Sequence, residues 1–96
     1  MLIQYLRRRK RHRNEKIAVL VAELRMGGFV IGWSMKDRRD SFDRDKGMAI
    51  AIGRLESRSE TNIPHSIRVE TLQFAKRCAK YFKTNMIWPQ EDHFHD

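Results

Sequence analysis

The residues best suited to chemistry lie in one stretch, 37–45, where carboxylates and guanidinium groups are interspersed. Its four aspartates are Asp37, Asp40, Asp43 and Asp45. Closely spaced carboxylates can hold Mg²⁺ for phosphodiester cleavage. The intervening arginines would neutralise them, however, and the spacing does not fix an octahedral site. A metal-dependent nuclease using Asp37 and Asp40 is therefore the weakest of three hypotheses, and we expect no catalytic residue, no metal and no cofactor.

The same stretch also has a structural interpretation, as the connection between a strand and a helix. Asp40 or Ser41 could cap the helix by accepting hydrogen bonds from its free N–H groups. If Arg44 and Arg54 reach back to Asp37 and Asp40, the stretch is a clamp that holds the helix against the sheet. We favour this clamp over an active site.

A second group of candidate residues is a basic run between positions 7 and 13, in which six of seven residues are cationic. Closely spaced guanidinium groups neutralise phosphates and release counterions, so the run predicts contact with nucleic acid. Tyr5, beside it, could stack on a base. The alternative is a solvated hairpin whose charges only keep the protein soluble. The six cations are Arg7, Arg8, Arg9, Lys10, Arg11 and Arg13.

Other polar or reactive side chains have simpler interpretations. Cys78 falls on an apolar stripe, which predicts a small buried hydrophobe rather than a nucleophile. Ser66 precedes a helical pattern, which predicts a helix cap. His93 and His95 lie near the end of the chain, where two histidines at this spacing would bind metal weakly.

Two further places could contact a partner. Arg38 and Arg39 fall in the polar turn before the first helix. Trp88, next to a proline near the end of the chain, is the aromatic residue that we expect to be most exposed for binding.

Composition limits the class of protein. The chain has 96 residues, of which 41% are hydrophobic and 33% charged, which is too apolar for disorder and too charged for a membrane protein. A single cysteine is typical of a reducing compartment and excludes an internal disulfide framework. The net charge is +8, but the basic run carries six of these charges, so the rest of the chain has a net charge of only +2. Nucleic acid would therefore be attracted mainly by the run.

Hydrophobic periodicity predicts the elements that position these residues. Residues 1–6, 17–22 and 29–35 have strand patterns, and 17–22 is apolar on both faces, as expected of a covered central strand. A Gly-Gly pair at 27–28 predicts a tight hairpin. Two amphipathic helices follow, and Gly47 and Gly53 in the first helix suggest close backbone approach.

We therefore predict an α+β domain in the order β-β-β-α-α. Its three-stranded antiparallel sheet, a β-meander, would be covered by two helices in a two-layer sandwich. The domain would span residues 1–83, and residues 84–96 would form a C-terminal extension whose first part packs across the domain edge.

Several motifs resemble those of small uncharacterised proteins encoded by bacteriophages and prophages. They are GWS at 32–34, KD at 36–37, DxFxRxxGxxIAxGR at 40–54, IPHSI at 63–67 and KYFK at 80–83. The resemblance extends to Lys83 and implies a viral protein that acts in the host cytoplasm and has no known activity. The chain departs from the pattern at Arg38 and Arg39 and in its arginine-dense hairpin.

Two functional hypotheses follow, besides the nuclease. The first is a basic, non-enzymatic phage accessory protein that binds a host protein or ribonucleoprotein, inhibiting a nuclease-based defence as an anti-CRISPR protein does. The second is a regulator that binds RNA or DNA through residues 7–13. Neither hypothesis involves a membrane, and both a monomer and a homodimer remain open.

Overall fold

The computed structural model describes residues 1–10, 13–57 and 63–87. The elements in chain order are β1 (Leu2–Lys10), β2 (Arg13–Arg25), β3 (Gly28–Met35), α1 (Arg44–Ser57), a short 3-10 helix (His65–Ile67) and α2 (Arg68–Phe82). The strands form one antiparallel sheet in the order β1-β2-β3. The predicted α+β fold class, its β-meander and its element order are therefore confirmed. No described helix is long and apolar enough to cross a membrane.

The hairpin between β2 and β3 is as tight as predicted. Arg25 pairs with Gly28, which leaves Met26 and Gly27 as a two-residue turn. Gly27 has a φ of 90°, a conformation that glycine adopts without steric cost. The turn thus fixes the register of the two strands.

The hairpin between β1 and β2 is longer than predicted. We expected β1 to end at residue 6, but its pairing with β2 continues to Lys10 and Arg13. The two strands satisfy one another's backbone hydrogen bonds, so charged side chains do not end the ladder. The register shifts once, because Leu6 pairs with Ala18 and Arg7 pairs with Lys16, which leaves Ile17 as the extra residue of a β-bulge.

The two helices lie on opposite faces of the sheet, so the predicted two-layer arrangement is wrong. On one face, Phe74 and Cys78 of α2 pack in a cluster with Leu20 of β2. On the other, Leu55 of α1 packs in a cluster with Val21. The signal was present in the sequence, since a strand that is apolar on both faces needs a cover on each. The domain therefore has three layers, with the sheet in the middle.

A small residue in β3 lets α1 approach the sheet closely. A Cβ added to Gly32 would overlap the backbone oxygen of Ala51 and lie 2.7 Å from the Cβ of Leu55. The expectation that Gly53 marks a close approach is wrong, because Gly53 is exposed and a Cβ there would meet no described atom within 4 Å apart from its chain neighbours and the backbone of its own helix. The expectation holds for Gly47, where a Cβ would lie 3.3 Å from the ring of Phe42.

The residues that begin the helices also differ from expectation. Asp43 caps α1 in place of Asp40 or Ser41, since its Oδ1 accepts a hydrogen bond from the N–H of Lys46 at 3.0 Å. Ser66 does not cap α2, which has no side-chain cap; its hydroxyl lies 3.6 Å from the sulfur of Met35.

The segment after α2 returns to the sheet. The N–H of Phe29 donates to the carbonyl of Asn85 at 3.1 Å, and the N–H of Ile87 donates to the carbonyl of Phe29 at 2.8 Å. The predicted packing of this segment across the domain edge is confirmed for residues 85–87. It covers part of the outer edge of β3.

Candidate nucleic-acid interface

The predicted basic run forms part of a two-stranded ribbon at one end of the sheet. The last residues of β2 and β3 to pair are Ala18 and Met35, and beyond them β2 pairs with β1 alone. We call residues 7–10 and 13–16 the basic ribbon. Four residue pairs at the usual rise per residue make it roughly 13 Å long. Its pairs are Arg7 with Lys16, Arg8 with Glu15, Arg9 with Asn14, and Lys10 with Arg13.

One side of the ribbon faces α2, and on this side Arg8 has partners in that part of the chain. Arg8 forms a salt bridge with Glu70 of α2 and donates a hydrogen bond to the carbonyl of Ser66 at 2.8 Å. Glu15 is directly opposite Arg8 on the neighbouring strand, so its side chain lies on the same side. Arg8 therefore has a carboxylate partner on this side of the ribbon.

The other side of the ribbon carries cations that have no carboxylate partner among the described residues. Side chains alternate along a strand, so Arg7 and Arg9 lie on the side opposite to Arg8, together with Lys16. We call this the open side. Arg7 and Arg9 are exposed, and neither has an ion pair within the described ranges 1–10, 13–57 and 63–87. Because α1 packs over β2 and β3, it leaves the open side uncovered.

An aromatic pair lies next to the open side, where the basic ribbon joins the rest of the sheet. The ammonium group of Lys16 is 4.7 Å above the ring centre of Tyr5. The ring of Phe42 meets that of Tyr5 edge to face, with the centres 6.0 Å apart. Lys16 is thus held over Tyr5 by a cation–π contact.

The predicted binding residues are therefore not equivalent. Arg7 and Arg9 lie on the open side, whereas Arg8 is engaged with α2. Lys10 and Arg13 pair within the ribbon through their backbones. Arg11 and Trp88 lie outside the described residues.

The turn between β3 and α1 is attached where the ribbon begins. The N–H of Lys36 donates to the carbonyl of Ile17 at 2.9 Å, and its ammonium lies 3.5 Å from a carboxylate oxygen of Glu15. Arg38 and Arg39 are exposed in this turn. The structure thus places them at the same end of the sheet as the basic ribbon.

The turn is held by its own residues. The Oδ1 of Asp37 accepts a hydrogen bond from the N–H of Arg39 at 3.3 Å. The N–H of Asp40 donates to the carbonyl of Asp37 at 3.1 Å, and the ammonium of Lys36 donates to the carbonyl of Asp40 at 2.8 Å. These contacts give the shape of the turn a local cause that needs no ligand.

The predicted clamp uses different partners from those we expected. Arg44 lies 3.8 Å from its neighbour Asp45, and both are exposed. Arg54 donates a hydrogen bond to the carbonyl of Trp33 at 3.0 Å, and its guanidinium carbon lies 3.9 Å from the centre of the Trp33 ring. Arg54 therefore ties α1 to the edge strand β3. Sequence reasoning missed this pair because its members belong to elements with different periodicities.

A groove of about 510 Å³ lies between the turn and the start of α1. Its lining residues include three aspartates, Asp37, Asp40 and Asp43, but only two lysines, Lys36 and Lys46. This balance disfavours a phosphate in the groove. Within the described part of the chain, no three His, Cys, Asp or Glu side chains are grouped so that they could hold a metal ion.

Cys78 is fully buried in the cluster beneath α2, as predicted. Burial raises the pKa of its thiol to about 11, although Arg77 acts in the opposite direction. The thiol is therefore protonated at neutral pH.

Comparison with known proteins adds no relative: no protein-family model, no curated protein and no solved structure matches this chain. The resemblance to phage proteins accordingly stays a prediction.

Proposed function

We propose that the protein is a non-enzymatic binder of nucleic acid that uses the open side of the basic ribbon. The observation that carries the proposal is that three adjacent arginines differ in their ion pairing. Arg8 has a carboxylate partner, whereas Arg7 and Arg9 are exposed without one among the described residues. Uncompensated cations of this kind are available for phosphate groups.

The shape of the domain supports the same proposal. The ribbon extends past the last pair of β2 and β3, and among the described residues α1 contacts β2 and β3 but not β1, so α1 does not cover Arg7 or Arg9. The rest of the chain has little net charge, so the attraction is concentrated at this end. Arg38 and Arg39, in the turn at the base of the ribbon, would extend the contact along the phosphate backbone.

The salt dependence of binding tests the proposal. Binding of a fluorescent 20-base-pair DNA duplex, an RNA duplex and a single strand would be followed by anisotropy over a range of KCl concentrations. We expect log affinity to fall linearly with log salt for at least one of the three. The R7Q/R9Q double variant should reduce that slope by about 2, since each lost phosphate contact removes about one unit.

A matched control separates the ribbon from overall charge. Lys76 and Lys80 are exposed on α2, so the K76Q/K80Q variant loses the same charge from another surface. It should keep the wild-type slope. Absence of salt-dependent binding to all three probes would refute the proposal, and so would an equal loss in R7Q/R9Q and K76Q/K80Q.

The accessory-protein hypothesis rests on the sequence resemblance, and it would use the same surface if the host partner contains RNA. Affinity purification from a host lysate, with and without nuclease treatment, distinguishes a host protein partner from direct binding to nucleic acid. A stoichiometric protein that survives nuclease treatment and still binds R7Q/R9Q would favour a protein partner. Loss of all partners after nuclease treatment would favour direct binding to nucleic acid.

A further inference from the structure

We infer that the ligand is double-stranded DNA and that the basic ribbon enters its major groove. This inference rests on the proposed function and specifies its ligand. Three observations carry it: the state of the aromatic ring beside the cations, the distribution of charge across the ribbon, and the size of the ribbon.

The first observation argues against a single strand. Proteins that bind single strands combine cations with aromatic rings on which bases stack. Tyr5 lies beside the open side, and its ring already has Lys16 over one face and Phe42 against it. A base that stacked on the face beneath Lys16 would have to displace that ammonium group. The contact between Lys16 and Tyr5 thus favours binding through charge over stacking of unpaired bases on Tyr5.

The second observation concerns how the cations are arranged. Arg7 on β1 and Lys16 on β2 are directly opposite one another, and Arg9 follows Arg7 on the same side. Side chains at such positions are about 5 Å apart across the ribbon and about 7 Å apart along it. Cations thus come from both strands, which suits a groove with a phosphate backbone on each flank.

The third observation is the size of the ribbon relative to nucleic-acid grooves. Two paired strands have backbones about 4.8 Å apart, and the major groove of B-form DNA, about 12 Å wide, admits such a ribbon. The major groove of A-form RNA is deep and narrow, and side chains cannot read it. The ribbon therefore fits the major groove of B-form DNA better than that of A-form RNA.

The test compares the three probes at one salt concentration. We expect the DNA duplex to bind at least about tenfold more tightly than an RNA duplex of the same sequence or either single strand. Equal or tighter binding of the RNA duplex or of a single strand would overturn this inference while leaving the proposed function intact. Failure of every probe to bind would instead defeat the proposed function itself.

A modified duplex tests the groove. The C5 position of thymine projects into the major groove, so bulky C5 substituents fill it and leave the phosphates unchanged. Such a duplex should lose most of the affinity, and a minor-groove ligand should not compete with the protein. Unchanged binding of the C5-modified duplex, or competition by the minor-groove ligand, would show that the ribbon does not enter the major groove.

Discussion

Three consecutive arginines in β1 have different roles because neighbouring side chains of a strand point to opposite sides. Arg8 is directed towards α2 and joins the ribbon to that helix through Glu70 and the Ser66 carbonyl. Arg7 and Arg9 are directed away from α2 and remain exposed. Residue type alone therefore does not distinguish a structural arginine from a binding one here.

Replacing Arg8 should affect stability, whereas replacing Arg7 should not. The R8Q variant loses an ion pair that is partly exposed and one hydrogen bond, which together contribute about 1 kcal/mol to the free energy of unfolding. The R7Q control should change it by less than about 0.5 kcal/mol. Urea unfolding followed by circular dichroism measures both. Equal effects of R8Q and R7Q would contradict the assigned roles.

The thiol of Cys78 gives a prediction about pH. Because its pKa is raised from 9.0 to about 11 in the folded protein, the protonated thiol contributes stability that is fully present below pH 9. That contribution is lost as the pH rises from 9 towards 11. The free energy of unfolding should therefore fall more steeply over this range for the wild type than for C78A. Parallel curves for the two proteins would contradict the assignment.

At the scale of the elements, the glycines of β3 and α1 have opposite consequences for stability. Gly53 is exposed in the interior of α1, so G53A should raise the free energy of unfolding by about 0.5–1 kcal/mol through helix propensity. In G32A, the new Cβ would collide with the backbone of α1 at Ala51, which should cost about 3 kcal/mol or more. Urea unfolding of both variants tests this, and destabilisation by G53A would contradict it.

The sequence predicts the order and class of the elements because their hydrophobic periods are clear. It predicts less well which face each helix covers, since a stripe on a helix shows that one side is buried but does not identify the sheet face beneath it. Apolar residues on both faces of 17–22 were the available clue, and their cover from two sides is confirmed by the two clusters.

The candidate site was predictable only in part. The density of arginines identified the basic run, but the separation of Arg8 from Arg7 depends on the register of β1 and on where α2 places Glu70. Neither property is a local pattern. The contact between Arg54 and Trp33 depends likewise on how α1 crosses the sheet.

At the scale of the whole molecule, the two clusters share the central strand. Residues Val19 and Val21 of β2 belong to the cluster under α1, and Leu20, between them, belongs to the cluster under α2. All three side chains are fully buried. Loss of either helix would therefore expose β2, so we expect the three layers to unfold together.

Two core substitutions test this cooperativity. L55A under α1 and F74A under α2 should each lower the free energy of unfolding, by about 2–5 and about 3–5 kcal/mol respectively. Each variant should still show one transition, with coincident midpoints by tryptophan fluorescence and by far-ultraviolet circular dichroism. Separate midpoints for the two signals would show that the layers unfold independently.

The bulge at Ile17 has a consequence for how this surface can change in evolution. In a regular ladder without the shift, Glu15 would be opposite Arg9 and Lys16 opposite Arg8, which would place a carboxylate among the exposed cations. The one-residue offset instead separates the charges into a mixed side and a purely cationic side. A lineage could therefore gain or lose this surface by a change of register alone, without replacing a single charged residue.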